Sequence, residues 1–170
     1  MREPPKQNNL TKEIVLDPPS SPAVSPLIKI FASALYSGYA PVASGTVGSL
    51  VGLILYFVPR FENNYVLLPG CVLVFLLGGF AAGKMEMFYG HDPSTVTIDE
   101  VLGMWVSLLF LPKSILLAVG AFIIFRLLDV VKPWPARFFD RKHGGWNIML
   151  DDVVAGIYTN LVLQLAVRIL

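Results

Sequence analysis

Apolar residues run through this chain in blocks, and each block is bounded by Gly, Pro or charge. Five of these blocks predict helices. The first runs from about Gly45 to Val58 and is stopped by Pro59, and the second covers about Tyr65 to Phe88, with "GGFAAG" inside it. The third runs from Ile98 to Leu111, stopped by Pro112, and the fourth from Ser114 to Val131, stopped by Pro133. The fifth starts near Asn147 and continues to the C-terminus. Proline inside a helix removes a backbone hydrogen bond and clashes with the preceding turn, so these positions are credible stops. A weaker segment, Pro26 to Tyr39, is a candidate interfacial helix carrying Lys29.

Composition points to a membrane protein, or to an unusually apolar all-helical one. The 170 residues are 55% hydrophobic and 15% charged, where a soluble domain carries about a quarter charged residues. Residues 27–170 therefore read as one all-α domain, a multi-helix integral membrane bundle. Crossing about 30 Å of hydrocarbon takes about 20 residues. The first and third segments are short for that, so they are tilted, half-inserted or buried among the others. Residues 1–26 hold six Pro and no apolar core, and read as a disordered tail rather than a signal peptide. The single Cys71 has no partner for an internal disulfide, and its apolar setting fits packing.

Charge then orients the bundle. With the N-terminus inside and all five segments crossing, ten Lys and Arg fall on the inner side, three of them in the tail. Only Arg60, Lys113 and Arg168 fall outside, as the positive-inside rule expects. The same topology, chosen on basic residues, carries Asp92, Asp99, Glu100, Asp129, Asp140, Asp151 and Asp152 to the inner face. A net charge of +1 gives nucleic-acid binding no electrostatic support. Nothing in the chain points to a protein partner.

Four stretches hold the candidate chemistry. In "DPSTVTIDEVLG", Thr97 and Glu100 fit a capping box, which is a structural reading. The functional reading gives Asp99 and Glu100 to a divalent cation. In "FRLLDVVKPWPARFFDR", Asp129 lies three residues from both Arg126 and Lys132, which fits helix-end ion pairing with Trp134 as an interface anchor. Acids at a membrane edge are nevertheless functional by default, and Lys132, Arg137 and Arg141 are candidate phosphate ligands. In "GGWNIMLDDVVAG", Asn147 is a plausible N-cap that puts Asp151 and Asp152 near the first turn. Adjacent carboxylates repel unless a cation or basic group offsets them. In "SGYAPVASGTVGSL", the glycines lead into a helix start suited either to a phosphate or to tight packing. "DEVLG" and "DDVVAG" both place a carboxylate pair before a Gly one turn on, a hint of repetition too short to establish one.

Together these stretches put hard oxygens, basic groups and a Gly-rich helix start on one membrane face. That set suits Mg²⁺ and metal-assisted attack on a phosphate ester at the bilayer surface, with His91 and His143 as flanking candidates. Zinc is not expected at a site with no Cys/His cluster. Several phosphatase designs are excluded. Leu77 stands where a Cys-x5-Arg loop needs Arg, and no Asp-x-Asp-x-Thr motif occurs. "KPWPARFFDR" fails the spacing of the Lys-x6-Arg-Pro motif, and Lys132-Pro133 stands where a CDP-alcohol phosphotransferase needs Asp-Gly.

"PVASGTVGSL", "DPSTVTIDEVLGMW" and "RLLDVVKPWPARFFDRKHGGWNIMLDDVVAG" together resemble the phosphatidylglycerophosphatase A family over roughly residues 30 to 165. The third block is the most specific. The resemblance implies a bacterial inner-membrane, Mg²⁺-dependent phosphatase, active on the cytoplasmic face, that converts phosphatidylglycerol phosphate to phosphatidylglycerol in phospholipid synthesis. It carries the family's acids onto Asp99, Glu100, Asp129, Asp151 and Asp152. Its basic positions fall on Lys132, Arg137 and Arg141, and its Gly-Thr helix start on Gly45 and Thr46. Ser44 departs from the proline usual before that Gly-Thr. On this reading Glu100, Asp129 and Asp152 are the catalytic acids and one or two Mg²⁺ bind among the five carboxylates, with water or Asp129 as nucleophile. Two other readings remain open: a small cation transporter or channel subunit, and a structural membrane protein with capped helices.

Overall fold

The computed structural model describes residues 24–169, so most of the expected Pro-rich tail lies outside the described residues. Among the described residues the chain is all-α, with seven helices: α1 Pro26–Ala32, α2 Ser44–Tyr56, α3 Asn64–Tyr89, α4 Ile98–Leu108, α5 Ile115–Val131, α6 Ala136–Asp140 and α7 Gly145–Ile169. The five expected apolar helices are α2, α3, α4, α5 and α7.

Their ends follow local chemistry. Asn63 caps α3 by accepting the Tyr65 N–H at 2.9 Å, and Gly90, at φ +96°, ends it. Glycine reaches that backbone region without penalty. The segment expected as one interfacial helix is broken, because Ala34, Leu35 and Tyr36 all adopt positive φ between α1 and a 3₁₀ turn at Ser37–Tyr39. Ser37 then bonds to Thr97 at 2.9 Å, and the Thr97 N–H donates to the Ala32 carbonyl at 2.9 Å, tying this segment to the start of α4.

α4 is the axis of the bundle. Nine of its eleven residues are buried, and α2, α3, α5 and α7 pack around it. At about 1.5 Å per residue it rises only about 16 Å, too little to cross a bilayer and enough to fill its interior. Its last carbonyls are satisfied from α7, where the Asn160 amide donates to Ser107 O at 3.1 Å and Leu109 O at 2.7 Å. Orphan carbonyls at a helix end inside a bundle require such donors. α4 and α7 touch backbone to backbone. A Cβ on Gly156 would fall 2.6 Å from the Gly103 carbonyl oxygen, so glycine sets this approach. The two glycines come from "DEVLG" and "DDVVAG", and their meeting places the carboxylates one turn earlier beside each other.

α3 and α7, with 26 and 25 residues, are long and apolar enough to cross a membrane. α2 is a shorter apolar helix of 13 residues and α5 has 17. The outward faces are greasy: Leu73, Leu76 and Phe80 on α3, Ile123 and Leu127 on α5, and Leu161 on α7 are all exposed. An apolar belt of this extent is covered by lipid rather than water. The bundle has two chemically distinct ends. At one, Lys113 pairs with Glu62 at 3.1 Å. The other gathers nearly all remaining charge.

Candidate active site

Four helix ends meet at that charged end. α2 and α4 start there, α5 finishes there, and α7 contributes its second turn. They enclose a cavity of about 390 Å³ lined by Asp92, Asp99, Glu100, Asp129, Asp151 and Asp152, with Arg126, Lys132 and residues Ala43, Ser44 and Gly45. Six carboxylates thus face two cationic side chains.

Each acid arrives by a specific route. Asp99 and Glu100 occupy the first turn of α4, but the capping box does not form: Thr97 makes no side-chain cap. Its hydroxyl is engaged with Ser37 instead, and Asp99 Oδ1 accepts the Glu100 N–H at 3.1 Å. Glu100 is thereby free to turn inward, where its Oε2 is buried without a hydrogen-bond partner. Asp129 lies in the last turn of α5, 2.7 Å from the Arg126 guanidinium. α7 begins at Gly145 rather than Asn147, whose amide donates to the His143 carbonyl at 2.7 Å. Asp151 and Asp152 therefore sit a turn deeper than a cap at Asn147 would put them.

Those two neighbours diverge, as residues about 100° apart on a helix must. Asp151 Oδ2 meets Lys132 Nζ at 2.5 Å. Asp152 turns to the other acids and belongs to two carboxylate triads, Asp99–Glu100–Asp152 and Asp129–Asp151–Asp152, each with oxygens within 4.8 Å of one another. Asp151 Oδ1 and Asp152 Oδ2 are buried without partners, like Glu100 Oε2. Buried carboxylate oxygens left unpaired cost free energy unless a cation meets them.

Lys132 closes α5 in the left-handed region, at φ 50° and ψ 67°. A non-glycine residue held there stores strain, which concentrates at functional sites. The turn swings its side chain back so that Nζ bridges Asp140 and Asp151, each at 2.5 Å. Burial works against its charge, yet those two hydrogen bonds hold the ammonium above the usual lysine value. Arg126 points toward the start of α2. A Cβ on Gly45 would sit 3.0 Å from both guanidinium nitrogens and would collide with Glu100, so only glycine leaves room there. The first N–H groups of α2 have no intrahelical acceptor, and Ala43, Ser44 and Gly45 at that start line the same cavity.

The structure brings Asp99, Glu100, Asp129, Asp151, Asp152, Lys132 and Gly45 together in this cavity. Thr46 is half-buried, one residue beyond its lining. Arg137 and Arg141 line a second, adjoining cavity of about 620 Å³, with Trp134, Phe138 and Lys142, and Lys132 forms part of both walls. Sequence reasoning left Arg126, Asp92 and Asp140 outside the site. Arg126 was legible as a guanidinium in the last turns of an apolar helix, where charge is expensive. Asp140 carried no such signal, because its role is to hold Lys132.

Acids this dense beside an anchored guanidinium and ammonium, at the rim of a lipid-facing belt, are the equipment of a membrane enzyme that cleaves phosphate from lipids. Residues 30–167 match the family described as Phosphatidylglycerophosphatase A, and the chain belongs to that family of lipid phosphomonoester phosphatases. The chain is 41% identical to "Phosphatidylglycerophosphatase A" of Escherichia coli over 71% of this chain and 72% of the relative. It is 36% identical to the protein of that name in Haemophilus influenzae, over 92% and 93%. It is also 37% identical to "Putative phosphatidylinositol-3-phosphatase" of Bacteroides thetaiotaomicron, over 76% and 87%. No solved structure matches the chain significantly.

Proposed function

We propose that this chain hydrolyses the terminal phosphomonoester of phosphatidylglycerol phosphate to phosphatidylglycerol and inorganic phosphate, with Mg²⁺, in phospholipid synthesis. One observation carries the reading: six carboxylates against two cations, three of their oxygens buried without partners, beside a basic cleft. The fit to Mg²⁺ is chemical. The donors are all hard oxygens, and Mg²⁺ is held by a few carboxylates plus substrate phosphate. Asp99, Glu100, Asp129, Asp151 and Asp152 would hold one or two ions, with Asp152 shared between the triads. Bound there, Mg²⁺ supplies charge neutralisation and Lewis-acid activation of water.

The protein's own groups do the rest. Arg126, Lys132 and the free N–H groups of α2 bind the phosphoryl oxygens and oppose the charge that develops on them. In the net reaction a water oxygen bonds to phosphorus, the bond from phosphorus to the lipid oxygen breaks, and that oxygen takes up a proton. The substrate has a second, internal phosphodiester. The neighbouring cleft of Arg137, Arg141 and Lys142 suits it, while exposed Trp134 anchors the cleft at the interface. The bias of basic residues toward this end supports an active site on the cytoplasmic face of a bacterial inner membrane.

The relative from Bacteroides thetaiotaomicron favours a second reading, in which the lipid is a phosphoinositide monoester. Phosphate release from the two lipids, in matched mixed micelles with Mg²⁺ or with EDTA, separates the readings. The first expects Mg²⁺-dependent release from phosphatidylglycerol phosphate with the higher kcat/KM. Release unchanged by EDTA, or preference for the inositol lipid, overturns it.

A further inference from the structure

Outside the acid cavity a second group of side chains converges. Glu86 comes from the last turn of α3, His91 from the loop before α4, and His143 from the loop before α7. Glu86 Oε1 lies 3.1 Å from His91 Nδ1 and 3.1 Å from His143 Nδ1. The ligand atoms of all three lie within 4.8 Å of one another, and none of the three residues lines the acid cavity.

The surrounding bonds fix which atoms are available. His91 Nε2 sits 3.1 Å from the Asp140 carbonyl oxygen. A carbonyl only accepts, so Nε2 carries the proton. In neutral His91 this leaves Nδ1 with a bare lone pair aimed at a carboxylate oxygen. Two lone pairs at that distance repel unless a cation lies between them, either the proton of a His91–Glu86 ion pair or a metal ion. The other Glu86 oxygen is already occupied, accepting the Gly144 N–H at 2.7 Å.

We propose that Glu86, His91 and His143 bind a divalent transition-metal ion of the zinc class, at a site separate from the acid cavity. Two imidazole nitrogens and one carboxylate oxygen, with a position open to water, form an established ligand set for such an ion. Ligands about 2.0–2.1 Å from a tetrahedral ion lie about 3.3 Å apart, close to the 3.1 Å that separates Glu86 Oε1 from each imidazole nitrogen. The outer bonds also have the right form. A metal-ligating histidine donates its second N–H to a carbonyl, as His91 does, and a ligating carboxylate is itself hydrogen-bonded, as Glu86 is. Imidazole favours zinc, copper or nickel, whereas Mg²⁺ takes oxygen, so the two sites select different metals. The bound ion pins the end of α3 to the loop after Asp140, the residue that shares Lys132 with Asp151. It thereby braces the wall between the two cavities.

The test needs no substrate, so it is independent of the phosphatase reading. Full-length protein, purified without a polyhistidine tag, is titrated with Co²⁺ in excess Mg²⁺ and followed by visible absorption. One saturable equivalent with a nitrogen-ligated band is expected in the wild type and in Asp152→Asn. In His143→Ala, whose lost side chain is 79% exposed, affinity should fall at least as far as the roughly 10–100-fold of an outer-shell loss. His91→Ala should behave alike, and unchanged helical circular dichroism checks the fold. No band in the wild type, an unchanged band in His143→Ala, or loss of the band in a folded Asp152→Asn overturns the proposal.

Discussion

Lys132 Nζ and Asp151 Oδ2 meet at 2.5 Å across the mouth of the acid cavity, joining the end of α5 to the second turn of α7. The contact exists because Lys132 leaves its helix in a left-handed turn. Removing the amine does two things. Lys132→Met strands a buried carboxylate, at about 1–3 kcal/mol of stability. On the proposed function it also removes a phosphate ligand, and kcat should fall by about 10²–10³-fold. Thermal unfolding and phosphate release on one preparation check both. Lys132→Gly relaxes the backbone turn while losing the same amine, so it should unfold at higher temperature than Lys132→Met with activity no better.

Asp151 and Asp152 are neighbours in sequence with unequal partners. Asp152→Asn alters both carboxylate triads and should cut activity by about 10³-fold or more. Asp151→Asn leaves Lys132 its bond to Asp140 and alters only one triad. It should cost less than Asp152→Asn in kcat and raise the Mg²⁺ concentration for half-maximal rate by less. Equal losses in the two variants would contradict this geometry.

Gly45 and Gly120 offer a paired test of why glycine stands where it does. Alanine in an exposed helix interior is worth about 1 kcal/mol over glycine. A Cβ on Gly120 would meet only Leu163 at an ordinary 3.5 Å, so Gly120→Ala should be neutral to stabilising. In Gly45→Ala the new methyl displaces Glu100 and Arg126. Activity should drop at least about tenfold, the effect of a little over 1 kcal/mol in the transition state, while the fold persists.

Arg137 and Arg141 line the basic cleft and not the acid cavity. Replacing either with Ala should therefore raise KM for the lipid, by about 10-fold for one charge-assisted contact. Hydrolysis of a small soluble phosphomonoester, which has no diester to place, should be unaffected. Parallel assays of the two substrates decide it.

Much of this architecture is legible in the sequence, because the signals are local. Pro59, Pro112 and Pro133 each fall just beyond the end of a helix, and the acids sit where four helix ends must meet if the chain folds up and down. What the sequence concealed depends on partners distant along the chain. Thr97 and Glu100 spell a capping box, but Ser37 claims the Thr97 hydroxyl from 60 residues away and releases Glu100 into the cavity. Arg126 and Asp129 read as an ordinary pair along one helix, since nothing nearby in the chain shows that Gly45 makes space for the Arg126 guanidinium. Helix α6 is five residues long, too short to carry a periodic pattern, and with it the split between Arg137, Arg141 and the acid cavity was hidden.

The basic cleft opens beside the exposed indole of Trp134, at the rim of the apolar belt. A lipid reaching it need not lift its chains out of the leaflet. Encounter is then a search in two dimensions, governed by how crowded the surface is with substrate. Diluting that surface with inert lipid should slow turnover even when the total amount of substrate in the tube is unchanged.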